Sequence, residues 1–559
     1  MTDGDRAAAG VVRLDNRAEV ESWVKTPGRQ LTDLTDLELV LRLVAQTGTK
    51  RIRDVLGDFA FVVWHGATRS AVAAADALGV KKLFYAERNG LFAFASRAEA
   101  LALEDRYEPQ RFAELVALCP PTPGLTAYAG VRRLVAGTLA TIEQGDLTPR
   151  AYWRPEECEM VSFTPALERE APAALRGLLL DAVRQRVSSN GDTWAQLSGG
   201  LDSSSIVSVS QWLAGRGAVA HGLGGTVTYV DWQNTDADER EYSDAVAARW
   251  RVRNETIVDP PLWMDGETEP PHLDEPLHSL AFYPRERRLC EIVLNSGGRG
   301  LLAGFGSDEL FTGTTIFFAD WLARGRLWPA VRDITRWAAR GRTSFWDLAY
   351  HNAVLPLVPR ALRRPTSFHD GRLLPWVSEA ADRRYGLQSR THSVTGNAGR
   401  LGRKYRDSML QRVRAITTKL DAGMIGDVLD VRYPFLARPV VEFALRLPPQ
   451  LCARPHARKW VLREAMREIL PEVVRTRVGK GGPTDALVRS LIAQRAALEP
   501  LVQTPLLADL GVVDAPRLRA AFEAAPLSAD GDRNLCINVQ NTLMTEAWLR
   551  IRSGRWPPG

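Results

Sequence analysis

The sequence predicts an α/β protein in two parts: a β-rich domain over residues 1–150, then a doubly wound α/β domain over residues 151–559 with a large helical C-terminal part. Three observations carry this. Residues 1 to about 150 alternate apolar and small residues between turn signals, as in "GDFAFVVW" (Gly57 to Trp64) and "NGLFAFAS" (Asn89 to Ser96). Past residue 165 the pattern becomes strand, glycine turn, helix, repeated. From about residue 320 to "NTLMTEAWLRIRSG" it is mostly helical.

The elements follow in order. Phe59, Phe61 and Val63 set one face of a strand, "CPPTPG" (Cys119 to Gly124) breaks the chain, and "YWRPEE" (Tyr152 to Glu157) reads as an exit linker. "TPALEREAPAALRGLLLDAVRQRV" is a helix capped by Thr164, with Pro165 in its first turn. The strand "TWAQL" (Thr193 to Leu197) enters "SGGLDSSS" and a helix, "AHGLGGTVTYV" holds a second strand, "EREYSDAVAARW" a helix, and "RGLLAGFGSDELF" a third strand.

With 559 residues, 45% hydrophobic and 25% charged, the chain reads as an ordinary globular protein. No run of about 18 apolar residues and no signal-peptide pattern is present, so no membrane span and a cytoplasmic location are expected. Five cysteines, Cys119, Cys158, Cys290, Cys452 and Cys536, are scattered without C-x-x-C spacing, which suggests reduced structural thiols. Between Arg324 and Lys419 stand twenty Lys and Arg against six Asp and Glu. That stretch reads either as a solvated helical face or as a docking face for an acidic peptide or partner; no nucleic-acid module accompanies it, and no nucleic acid is expected.

The chemistry concentrates at Ser198–Ser203. A Gly-Gly pair between strand and helix lets backbone N–H groups and a helix N-terminus approach an anion, and phosphate is the natural guest. The P-loop spacing and its lysine are absent, while Asp202 lies inside the loop, where a carboxylate beside phosphates calls for a bridging cation such as Mg²⁺. "AGFGSDELFTG" (Ala303 to Gly313) puts Asp308 after a strand, where a parallel sheet brings it to the same carboxyl edge.

These strings, with "ALGVKKLFY", "YWRP", "DEP" (Asp274 to Pro276), "VRYPFLARPVVEFALRLP" and "KWVLREAMREILPEVVRTRVGKG", resemble the asparagine synthetase family over nearly the full length. The resemblance implies a glutaminase-like N-terminal sandwich of the N-terminal-nucleophile type joined to a synthetase domain that adenylates a carboxylate. It also implies ATP and Mg²⁺: phosphates on Ser198, Gly199, Gly200 and Ser203, metal on Asp202 and Asp308, and adenosine near Leu197 and Gly304. Three departures refine the expectation. Position 2 is Thr2 where glutamine-hydrolysing members carry a nucleophilic cysteine, so the first domain is expected to be a scaffold. Phe305 stands where asparagine synthetases carry Glu and β-lactam synthetases Tyr. The usual R-P-K string is one residue longer, Arg477-Val478-Gly479-Lys480-Gly481, a form similar to that of lasso peptide cyclases.

The resemblance therefore implies a peptide-cyclising enzyme. ATP activates an Asp or Glu side chain of a leader-free core peptide, the peptide's own N-terminal amine closes an isopeptide macrolactam, and AMP and pyrophosphate leave. Asp202, Asp308 and Lys480 are the expected catalytic residues. The precursor core peptide is the expected substrate, and a leader peptidase and leader-recognition protein are candidate partners. His278 and Tyr283 are candidates near the acyl substrate, and Trp321, Trp328, Trp337 and Trp346 for a cavity wall. Two further readings stand beside this one: another ATP-dependent amide former, of β-lactam synthetase type or an ammonia-using asparagine synthetase, and a non-catalytic peptide-binding paralogue.

Overall fold

The computed structural model describes the chain except residues 26–30, 104–105, 189, 232–238, 259–261, 264–272, 277–279, 342, 360–371, 395–399, 421–424, 479–483, 526–531 and 557–559. The first part holds two antiparallel sheets. The larger runs β1 (Thr2–Asp3), β2 (Arg6–Leu14), β3 (Gly57–His65), β4 (Ser70–Ala75), β8 (Thr138–Glu143), β9 (Asp146–Ala151), in that spatial order. The smaller places β5 (Phe84–Arg88) between β6 (Leu91–Ala95) and β7 (Val131–Arg133).

Strand alternation assigns the faces. Phe59, Phe61 and Val63 point into a core shared with Leu39, Val40 and Leu43 of the helix α2 (Asp36–Thr47), which follows α1 (Arg17–Trp23). Ala60, Ala71, Ala73, Ala75 and Ala140 face the other way, packing with Leu83 and Leu134. Their small side chains let the second sheet close over the first, which makes the β-rich part a sandwich. The predicted linker opens on two buried rings: the Tyr152 hydroxyl donates to Ala75 O at 2.8 Å, and Trp153 Nε1 donates to Glu442 Oε1 at 2.9 Å.

The second part is a parallel sheet in the order β12 (Asn254–Val258), β11 (Gly225–Val230), β10 (Thr193–Gln196), β13 (Gly300–Leu302), β14 (Asp430–Arg432). The helix α3 (Pro109–Val116) belongs to the first part, whereas α4 (Pro165–Arg184) leads into β10. The Thr164 side chain caps α4 by accepting from Leu167 N at 3.1 Å, as the sequence predicts. Then α5 (Leu201–Ala214), α6 (Arg240–Trp250) and α7 (Tyr283–Asn295) connect successive strands. Ala195, Leu197 and Leu302 face α4 and α5, and Trp194, Val227 and Leu301 face α7. The sheet thus has five strands where the sequence reading found three. β12 and β14 escaped it because "NETIV" and "DVR" are short and mostly polar, held by their neighbours rather than by a pattern of their own.

Strand order reverses between β10 and β13, since β11 and β12 extend to one side and β14 to the other. At such a switch point the loops leaving two adjacent strands diverge and open a crevice at the carboxyl edge. Elsewhere helices dominate. The helix Arg533–Arg552 returns to the β-rich part, where Trp548 meets the rings of Phe112 and Tyr128 at 5.8 and 5.9 Å. Between the two sheets of the two parts, Asp58 binds Arg13 at 2.6 Å and Arg186 at 3.2 Å, and Asp15 binds Arg186 at 3.1 Å.

Candidate active site

The turn Leu197–Gly200 joins β10 to α5. Leu197, fully buried, donates its N–H to Val227 O at 2.9 Å and accepts from Thr228 Oγ1 at 2.7 Å, which ties the start of the turn to β11. Gly199 has φ +72°, and a Cβ there would stand 2.6 Å from Glu239 O at the start of α6, so only glycine fits. Ser198 N donates to Ser203 Oγ at 3.0 Å, the two hydroxyls lie 3.0 Å apart, and Gly200 N donates to Ser198 Oγ at 3.3 Å. Ser198, Gly199, Gly200 and Ser203 are therefore gathered at one helix N-terminus, where the helix dipole favours an anion.

The second loop touches the first. A Cβ on Gly304 would lie 2.6 Å from Ser203 N and 2.8 Å from Asp202 C, so backbone rests on backbone at the switch point. Gly306, at φ +99°, caps the short helix α8 (Ser307–Phe311), whose second residue is Asp308. Asp202 holds the same place in α5.

Between them lies Lys459, a residue that the sequence reading missed. Its Nζ is 2.7 Å from both carboxylate oxygens of Asp202 and 2.6 Å from Asp308 Oδ1. Lys459 and Asp202 are enclosed, with side chains 9% and 12% exposed, while Asp308 is open at 51%. Lys459 adopts φ 56° immediately before the helix Trp460–Ala465, a left-handed turn that aims its side chain back at the sheet edge. A lysine opening "KWVLREA" was the only available signal, and nothing local marks it as different from a surface lysine.

Asp202 and Asp308 suit a cation that travels with phosphates. Among the described residues no three His, Cys, Asp or Glu side chains come together to hold a metal alone, so a cation held by these two carboxylates would need phosphate oxygens and water for the rest of its coordination.

Lys480 lies outside the described residues, as does His278. The string leading to Lys480 does reach the loop: Arg477 binds Glu239 Oε1 at 2.6 Å and lies over the Tyr242 ring at 4.0 Å, and these two residues crowd Gly199. Tyr283 is buried at the start of α7. Phe305 packs edge-on against Tyr433, ring centroids 5.8 Å apart. "DEP" is structural: Asp274 accepts from Glu99 N at 3.0 Å, and Glu275 from Arg111 Nε at 3.2 Å and Ala127 N at 3.1 Å. The tryptophans do not form one wall. Trp321 is buried against Phe317 and Phe318, Trp337 packs beside that cluster, and Trp328 and Trp346 are 73% and 78% exposed. All five cysteines are free and buried, and burial pushes the Cys119 thiol up to about 11, far from a nucleophile's range.

Both parts of the chain resemble known proteins. The family described as asparagine synthase matches residues 174–550, and the glutamine amidotransferase domain matches residues 13–153. The chain is 27% identical to amidase chyE of Penicillium rubens over 314 residues, 54% of this chain and 47% of that protein. It is 24% identical to glutamine-hydrolyzing asparagine synthetase 1 of Bacillus subtilis over 504 residues, 84% of this chain and 74% of that one. It is 28% identical to the carboxyethyl-arginine beta-lactam-synthase of Streptomyces clavuligerus over 289 residues, 49% and 50% of the two chains. The match thus spans 47% of the first protein's length and 74% of the second's. Among the described residues no helix is long and apolar enough to cross a membrane.

Proposed function

We propose that this chain, which belongs to the asparagine synthase family of ATP-dependent carbon–nitrogen ligases, closes a macrolactam ring on a peptide. A side-chain carboxylate of the peptide attacks the α-phosphorus of ATP, forming an acyl-adenylate and releasing pyrophosphate. The peptide's N-terminal amine then attacks the activated carbonyl; the C–N bond forms, the C–O bond to AMP breaks, and AMP leaves. A carboxylate resists amines in water until its oxygen becomes a good leaving group, which is why the nucleotide is needed.

The residues divide that work. Ser198, Gly199, Gly200 and Ser203 bind phosphate oxygens at the head of α5, with adenosine near Leu197 and Gly304. Mg²⁺ held by Asp202 and Asp308 would neutralise the leaving pyrophosphate. Lys459 balances the two carboxylates and, like Lys480, offers a positive charge to the phosphates, a contribution of a few kcal/mol where charge develops.

Phe305 carries the choice of a peptide over a free amino acid. It borders Gly304 and packs on Tyr433, and by the resemblance to asparagine synthetases it stands where an amino acid's ammonium would meet a carboxylate. Cys119, the sole cysteine of residues 1–150, is buried and protonated, which supports a β-rich part without glutaminase chemistry.

The test is incubation with Mg²⁺–ATP and candidate acceptors: leader-free peptides with an internal Asp or Glu, free aspartate with ammonia, and carboxyethyl-arginine. Pyrophosphate release with loss of one water from a peptide is expected. Turnover of aspartate with ammonia, or of carboxyethyl-arginine, with none of any peptide contradicts the proposal.

A further inference from the structure

Trp328 and Trp346 stand outside the core that buries Trp321. Three helices build that core: α9 (Phe317–Ala323), α10 (Leu327–Gly341) and α11 (Phe345–Ala349), the last running on into a π-helical turn over Tyr350–Val354. α10 buries Ala330, Ile334 and Ala338, and α11 and its turn add Phe345, Leu348 and Ala353. Both helices therefore pack one face on the same core, and their other faces look outward. Leu327, Trp328 and Val331 on α10 are 61%, 73% and 43% exposed, and Trp346, Tyr350 and Val354 are 78%, 53% and 43% exposed. The second three recur every four residues and form one stripe. At about 100° per residue, α10 divides into three sectors. The buried one is followed by Val331, Thr335 and Trp328, and then by Arg332, Arg336 and Arg340, a stripe of exposed cations. Asp333 is the one acid of α10 and meets both Arg332 at 3.1 Å and Arg336 at 3.7 Å, so the stripe keeps a net positive charge. Arg326, exposed just before the helix, adds to it.

We propose that α10 and α11 dock this protein on the surface of an anionic lipid bilayer, Trp328 and Trp346 entering the headgroup layer and Arg332, Arg336 and Arg340 meeting lipid phosphates. An exposed apolar sector beside a row of arginines is the arrangement that lays a helix in that layer. Indole rings favour its depth, and arginine stems lie along apolar surface while the guanidinium reaches the phosphates. The excess of positive charge complements anionic lipid and gives no such gain with zwitterionic lipid. A folded acidic partner would need a preformed pocket for each ring, because both stand nearly clear of the surface. A fluid headgroup layer accepts protruding rings without one. Docking is peripheral, and salt weakens it.

The experiment sediments the full-length protein with vesicles of phosphatidylcholine, alone or mixed with phosphatidylglycerol. The mixed vesicles should carry the protein down at low salt and release it as salt rises, and the pure ones should leave it in solution. The double variant Trp328→Ser, Trp346→Ser should bind mixed vesicles about 10-fold more weakly. The triple variant Arg332→Gln, Arg336→Gln, Arg340→Gln should bind about 10²-fold more weakly. Because the replaced side chains are exposed, both variants should keep the wild-type melting temperature, which shows that weaker binding is not unfolding. Wild type that stays free of mixed vesicles, or variants that bind them as wild type does, overturns the proposal. So does a polyglutamate peptide that binds as tightly as the mixed vesicles and is indifferent to the tryptophan replacements, a result that would assign the surface to an acidic protein instead.

Discussion

Lys459 lies 2.6 to 2.7 Å from three carboxylate oxygens of Asp202 and Asp308, and it alters how the loop operates. Two carboxylates held at one edge repel, and a shared ammonium offsets that repulsion until a metal and triphosphate arrive. Lys459→Met should therefore reduce pyrophosphate release by about 10² to 10³-fold and also lower the melting temperature, because it leaves two charges facing each other. Pyrophosphate exchange and thermal unfolding check the two effects; full exchange in the variant contradicts the role. The loop itself was legible in the sequence, since Gly199 and Gly200 with Asp202 between a strand and a helix admit few readings. Lys459 was not, because it stands 257 residues from Asp202 and acquires its meaning only through a left-handed turn at the head of a helix.

Among the elements, β3 and α4 are joined by charge as well as by packing. Asp58 on β3 faces Arg13 on β2 and Arg186 just past the end of α4, with the Asp58 and Arg186 side chains only 5% and 1% exposed. Burial alone would raise the Asp58 carboxyl, but Arg186 and Arg13 outweigh it and hold the carboxyl below its usual range. A depressed folded-state pKa stabilises above the unfolded pKa and loses that contribution as pH falls through the folded value. Asp58→Asn should cost about 3 kcal/mol at pH 7, since it leaves Arg186 underpaired, and the gap from wild type should close in acid. Urea titrations at pH 7 and pH 3 measure this; equal stability at pH 7 contradicts it. Element identity was largely legible: the Thr164 cap, the Pro165 start and the β10–turn–α5 unit follow from local chemistry. Strand number was not, because three-residue strands such as β14 owe their form to β13.

For the whole molecule, the order β12-β11-β10-β13-β14 matters most, because it sets the loops of β10 and β13 side by side at the point where the sheet changes direction. Away from that crevice the helix Arg533–Arg552 and the β-rich part pack on each other: Trp548 docks on Phe112 and Tyr128, and Glu275 holds Arg111. The two-part α/β architecture was readable from the change in hydrophobic period near residue 165, whereas the return of the last helix to the first part depends on tertiary packing that no local pattern encodes. If this crevice adenylates a peptide carboxylate, as proposed, the fate of one oxygen atom reveals it. A peptide labelled with oxygen-18 in its Asp or Glu side chain is turned over with Mg²⁺–ATP, and the products are weighed by mass spectrometry. One labelled oxygen should appear in AMP for each ring closed; label in inorganic phosphate, or ring closure with unlabelled AMP, would contradict adenylation of the peptide.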